Sequence, residues 1–207
     1  MLDIQIASVR APLDEPELLT PSLEALALAQ AMGILPGDVR GGDLDLPTIR
    51  RVARAAGRAG VGAAAAARLA AEEPARDELR HALDALVEAL RGSPLPEREW
   101  ASLVDLLEPD RVARLVGVST SSLRRYASGA RRTPDEVAAR LHFLATVVAD
   151  LLGTYNAFGV RRWFERPRSA LGGRSPADVL AGDWDPEDEG PLAVRALARS
   201  LVGSSAT

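Results

Sequence analysis

The sequence predicts an all-α fold, and three observations carry that expectation. Apolar residues recur at helical spacing, as in Leu79, Leu83, Leu86 and Leu90 or in Val137, Leu141, Leu144, Val148 and Leu151. Alanine, arginine and glutamate are abundant while β-branched runs are few, a composition that favours helix. Aromatic residues make up only 4% of a chain that is 47% hydrophobic, so the core must be built mostly from Leu, Val and Ala. A length of 207 residues accommodates one large domain or about two to three small ones.

Taken in order, Leu2, Ile4 and Ile6 alternate with Asp3, Gln5 and Ala7, which predicts one short strand or an extended arm with an apolar side. Thr20 and Pro21 read as the N-cap and first-turn proline of a helix reaching about Met32, stopped by Gly33 and Pro36. Pro36 to Leu46, rich in Gly and Asp, is expected to be a loop, and a second helix starts at Pro47 with Ile49 and Val52 on one face. Gly57, Gly60 and Gly62 lie in an alanine-rich run with no strand before it and no Gly-Lys-Ser/Thr after it, so helix packing accounts for them better than phosphate binding. The Leu79 to Leu90 stripe after Pro74 fits an intramolecular core or a helix-helix seam.

Gly92-Ser93-Pro94-Leu95-Pro96 breaks the pattern and divides the chain. Residues 1–92 form an N-terminal helical region without an assigned role, 96–152 a helix-turn-helix bundle, and 153–207 a small C-terminal helical unit. The net charge is −4, yet residues 96–168 carry 12 arginines against 9 acids, and the segments before and after them are acidic. In that segment, Glu97 to Leu107 should bury Trp100, Leu103, Val104 and Leu107. Thr133 and Glu136 then offer a capping box for a long helix ending at Gly153, expected to lie across the two DNA-binding helices.

Residues 111–132, RVARLVGVSTSSLRRYASGARR, read as a DNA-binding helix-turn-helix. Ala113 permits close helix approach, Gly117 supplies the turn, and Ser119 is an N-cap. Leu123 and Tyr126 share the inner face of the second helix, whereas Thr120, Ser121, Arg124 and Arg125 share another. Arg111, Arg114, Arg124, Arg125, Arg131 and Arg132 occur without a carboxylate among them, the footprint of a phosphate-binding face. Ser119, Thr120, Ser121, Arg124, Arg125, Arg131 and Arg132 are the expected DNA contacts, and a homodimer on a palindromic site is expected.

Other chemistry is poorly served. Cysteine is absent, which removes disulfides, thiolate metal sites and cysteine nucleophiles. All basic residues are arginine, as a GC-rich coding bias would produce. His81 and His142 have no partner at metal or triad spacing, and Ser119, Ser121 and Ser122 lack the context of a hydrolase nucleophile. The acids between Asp183 and Glu189 read as a solvated turn. No enzyme activity, metal or cofactor is expected. The first ten residues do not read as a signal peptide, and no apolar run reaches membrane length, so a cytoplasmic protein without membrane contact is expected.

The middle stretch, running into Ser128-Gly129-Ala130-Arg131, resembles the helix-turn-helix of Xre/Cro-like repressors. The segment after it resembles the toxin-binding domain of the Xre/MbcA/ParS-like antitoxins, through Gly159, Trp163, Pro167, Leu171, Gly173, Pro176 and Leu180 in that order. The resemblance implies a type II antitoxin that represses its own operon and blocks a RES-domain toxin that consumes NAD. It also implies toxin contacts at Trp163, Arg174, Trp184, Arg195 and Arg199, with the last helix and tail near the toxin's active-site mouth. Two features depart from that family: the long N-terminal region, and the acidic insert Asp183 to Glu189. The alternative is a stand-alone helix-turn-helix regulator whose residues 1–92 sense a ligand or mediate dimerisation.

Overall fold

The computed structural model describes residues 4–35, 39–70 and 75–204. Helix accounts for 67% of the chain, in keeping with the all-α expectation. In chain order the elements are β1 (Ile4–Val9), α1 (Pro16–Ala31), β2 (Val39–Leu44), α2 (Leu46–Arg58), α3 (Ala63–Leu69), α4 (Arg76–Arg91) and α5 (Pro96–Leu107). There follow α6 (Pro109–Leu115), α7 (Thr120–Ala127), α8 (Asp135–Leu152), α9 (Ala157–Glu165), a 3-10 turn at Ser169–Leu171, α10 (Pro176–Val179) and α11 (Glu189–Ser204). Leu2, Asp3, Pro36, Pro74 and the tail beyond Ser204 lie outside the described residues.

The N-terminal region is not purely helical. β1 forms where the apolar alternation predicts a strand, and it pairs in parallel with β2, in the stretch expected to be a loop. Gly41 and Gly42 give β2 poor intrinsic strand propensity, so its conformation comes from tertiary pairing instead. Side chains help to join the strands: Asp43 accepts hydrogen bonds from Ser8 Oγ at 2.6 Å and Arg10 Nε at 2.9 Å. Those two donors hold the Asp43 carboxyl below the usual carboxylate range.

Two predicted helix starts move. α1 begins at Pro16 rather than after Thr20, which brings Leu18 fully into the core. Pro21 is tolerated in its second turn, where the carbonyl that loses its donor belongs to exposed Glu17. α8 begins at Asp135 because Pro134 keeps an extended ψ of 151°. Thr133 therefore makes no capping box, and its hydroxyl accepts a hydrogen bond from Trp100 Nε1 at 3.0 Å.

The second half of the long helix α8 is buried on every side. Every residue from Leu141 to Leu152 is buried, which demands neighbours all round. Its main partners are α1, α11 and α5, and the α6–α7 pair packs on α5 instead of lying beneath α8. The Leu79, Leu83, Leu86 and Leu90 stripe of α4 is buried inside the same chain. One hydrophobic cluster runs without a break from Leu26 and Leu83 through Leu144 to Trp163 and Val194, crossing both sequence-derived boundaries. The alanine-rich run folds into α2 packed on α3 through buried Ala55, Ala56, Ala65 and Ala66. Among the described residues, no single helix is long and apolar enough to cross a membrane.

Gly33, just after α1, has φ of +68°, and a Cβ there would come within 2.8 Å of the Arg98 carbonyl oxygen. Gly33→Ala should therefore destabilise the protein by about 1–3 kcal/mol, measured by urea denaturation of the two proteins side by side.

Candidate nucleic-acid interface

Both joints around α6 are held by side chains from elsewhere. Glu108, between α5 and α6, has φ of +72°, a strained conformation for a residue with a Cβ. The carbonyls preceding it, at the end of α5, are taken up by arginines: Arg161 Nη1 donates to Leu106 O at 2.8 Å and Arg111 Nη1 to Leu107 O at 3.0 Å. Between α6 and α7, Gly117 turns the chain with φ of +72°, and the Val118 amide closes the turn onto Ala113 O at 2.9 Å. Ser119 then caps α7, its Oγ accepting from the Ser122 amide at 3.1 Å.

α7 separates its faces as its spacing predicts. Leu123 and Tyr126 are buried, and the Tyr126 ring stacks on Trp100 with centroids 5.9 Å apart. Ser121, Arg124 and Arg125 are exposed on the other side. Neither Arg124 nor Arg125 has a side-chain partner among the described residues. Arg131 lies over the Tyr126 ring at 5.5 Å, and exposed Arg132 makes a 3.3 Å surface contact to Asp135 that costs little to break. The Thr120 hydroxyl is engaged, donating to Asp110 Oδ1 at 3.0 Å.

The arginine count of the sequence overstates the free charge. Arg111 Nε and Arg114 Nη2 both donate to Glu165 Oε1, at 3.0 and 2.7 Å, across to α9. Burial works to raise the Glu165 carboxyl, but these two hydrogen bonds and charges outweigh it and hold the carboxyl below its usual range. Asp110 and Glu165 are the residues that sequence reasoning missed here. The only available signal is the i, i+3 placement of Arg111 and Arg114 on one face of α6.

Behind the turn sits the acidic insert. Trp184 is buried and its Nε1 donates to Leu115 O, the last residue of α6, at 3.0 Å. Arg140 of α8 donates through Nε to Trp184 O at 2.6 Å and pairs with Asp183. A Cβ on Gly117 would fall 2.2 Å from Gly182 O, so the turn lies directly against the insert. Two of its acids cap the turn itself: the Asp185 amide donates to the Asp188 carboxylate and the Glu187 amide to the Asp185 carboxylate. Among the described residues, no group of three or more His, Cys, Asp or Glu side chains is placed to hold a metal ion.

No family model, curated protein or solved structure matches the chain.

The five residues that the antitoxin resemblance designates for toxin contact are differently disposed. Trp163 and Trp184 are buried in the chain's own core, so neither indole offers a surface contact. Trp163 packs edge-on against Phe164 at 5.1 Å and under the Arg168 guanidinium. Arg174 is exposed on the turn before α10. Arg195 lies over the Phe143 ring at 5.8 Å, and Arg199 Nε is 3.8 Å from Asp150 Oδ2. The last two arginines line a cleft of about 430 Å³ with Arg91, His142 and Glu187, between α4, α8 and α11.

Beside that cleft runs a buried polar chain. Arg91 of α4 donates to Glu24 of α1 at 2.5 Å and to Asp150 of α8 at 2.8 Å. Burial pushes the Asp150 carboxyl above its usual range despite Arg91. His142 bridges fully buried Glu99, at 2.6 Å from Nδ1, and the Arg91 carbonyl, at 2.8 Å from Nε2. Burial alone would lower the His142 pKa, but the Glu99 hydrogen bond and charge and the Arg91 carbonyl together raise it above the ordinary 6.5.

A folded-state pKa raised above the unfolded one gives stability that is complete below the unfolded value and lost as pH rises through the folded value. Resistance to urea should therefore fall as pH rises from about 6.5 upward, and Glu99→Gln should flatten that decline. Denaturation midpoints of both proteins across that window provide the check. An equally steep decline in the variant would assign the pH dependence to other groups.

Proposed function

We propose that the chain is a DNA-binding antitoxin of a type II toxin-antitoxin system, which represses its own operon and neutralises a RES-domain, NAD-degrading toxin by direct binding. The observation that carries the DNA half is the pair Arg124 and Arg125, exposed and without side-chain partners among the described residues, on the outer face of a helix that Ser119 caps and Leu123 and Tyr126 anchor. Two guanidiniums presented this way suit bidentate hydrogen bonding to guanine edges or to phosphates. α6 and α7 are too short to be stable alone, and the packing on α5 gives the reading helix a rigid base.

The toxin half rests on the resemblance of residues 159–180. Its support from the fold is that Trp163, Leu171, Pro176 and Leu180 are buried, with α10 packed on α9 and the 3-10 turn packed on α11. With both indoles inside, the residues left to meet a toxin are the exposed ones, Arg174 and Arg199, with half-buried Arg195 between α11 and α8.

Co-expression of the tagged chain with the product of the neighbouring reading frame, followed by purification, tests the toxin half. Gel retardation with the chain's own promoter tests the DNA half. Co-purification together with retardation is the expected result. Retardation without co-purification would instead favour a regulator whose N-terminal region, packed directly on α8, receives another input. Arg124→Ala should weaken operator binding by about 1–3 kcal/mol, read from titrations at one fixed salt concentration. An unchanged affinity removes Arg124 from the set of base-reading residues.

A further inference from the structure

We propose that Trp184 is a positioning residue for the DNA-reading helix: through it, the link between α10 and α11 fixes the α6–α7 turn, so the C-terminal unit helps to set how α7 is presented. The inference rests on the DNA-binding reading given above and concerns a part of the chain that would not itself touch DNA.

Two contacts reach this joint from the link between α10 and α11, Trp184 at Leu115 and Gly182 at Gly117, and side chains of α8 and α9 brace them and α6. The Trp184 Nε1 hydrogen bond serves Leu115 O, one of the carbonyls that the end of α6 leaves without an intrahelical donor. The indole is fixed in turn by Phe143, edge-on at 5.2 Å, and by Arg140, whose guanidinium lies 5.9 Å from its centroid and whose Nε holds the Trp184 carbonyl at 2.6 Å. Gly182 O sits where any side chain at position 117 would have to go. On the far side of α6, Arg111 and Arg114 are held by Glu165 of α9. α6 has seven residues and α7 eight, so neither has enough packing surface of its own to fix their mutual angle. A reading helix has to be placed within a fraction of an ångström to match base edges, and supporting contacts of this kind supply that precision.

A side chain that merely fills core would behave differently. Its truncation would loosen the whole protein and leave the folded fraction with ordinary affinity for DNA. A positioning residue affects the turn selectively and lowers the preference for operator over random sequence.

The experiment compares the full-length protein with Trp184→Phe, which keeps an aromatic ring and deletes the N–H, and with Arg140→Gln as a second route to the same joint. Amide hydrogen exchange is followed at Gly117, Val118 and Thr120 to Leu123 and, as internal reference, along α1 and α4. Binding is measured to the chain's own promoter and to a scrambled duplex. The expected result is faster exchange confined to the turn and the start of α7, with promoter affinity lowered by about tenfold, the equivalent of one buried hydrogen bond, and scrambled-duplex affinity unchanged. Uniformly faster exchange, or faster turn exchange with undiminished promoter preference, overturns the positioning role. If the unaltered protein ignores its promoter, the DNA reading fails, and turn exchange alone decides whether Trp184 holds α7 in place.

Discussion

The burial of α8 on all sides is the constraint on which the rest of the structure depends. A helix buried around its whole circumference cannot lie on a surface, so it must be enclosed by partners from several directions. α1 comes from the N-terminal region, α5 from the helix-turn-helix and α11 from the C-terminal unit, and each covers one side. The three segments that composition separates are thereby closed around a common axis. Polar groups that go inside with α8 are paired across the same joints: Asp150 with Arg91, and His142 with Glu99 and the Arg91 carbonyl. Breaking one partner of such a pair leaves a buried charge uncompensated, which makes these joints specific as well as apolar.

Much of the helical content was legible in the sequence because it follows from periodicity. The faces of α4 and α7 lie where their spacing puts them, and Gly117 and Ser119 perform the turn and cap that their residue types imply. What escaped was nonlocal. β2 contains two glycines and is a strand only because β1 lies alongside it. Thr20-Pro21 carries the local start signal, but α1 begins at Pro16, where an uncapped first turn buries Leu18. Thr133 has the sequence of a cap, but a tryptophan 33 residues earlier takes its hydroxyl.

The candidate interface was legible to a similar depth. The exposed positions of Arg124 and Arg125 follow from a helical wheel, whereas the engagement of Arg111 and Arg114 by a carboxylate more than 50 residues away does not. The antitoxin resemblance designates Trp184, in the acidic insert, for a surface contact. In the fold it turns inward, because an indole beside a helix end has both an apolar body to bury and an N–H that suits an unserved carbonyl. Gly92 to Pro96 has the composition of a linker, yet Arg91 immediately before it is tied to α1 and α8, so the prolines bend a continuous body and do not separate two.

The Glu165 bridge bears on how such a surface would respond to its ionic surroundings. A cation already matched by a carboxylate in the same chain adds little to the field that draws polyanions, and bringing it near a phosphate displaces few condensed counterions. The effective electrostatic reach of this face is therefore that of the arginines on and just beyond α7, a smaller number than the run of basic residues suggests. On the DNA-binding reading proposed above, Glu165 would attenuate indiscriminate attraction to nucleic acid and leave proportionally more of the recognition to the shape and hydrogen bonding of one short helix.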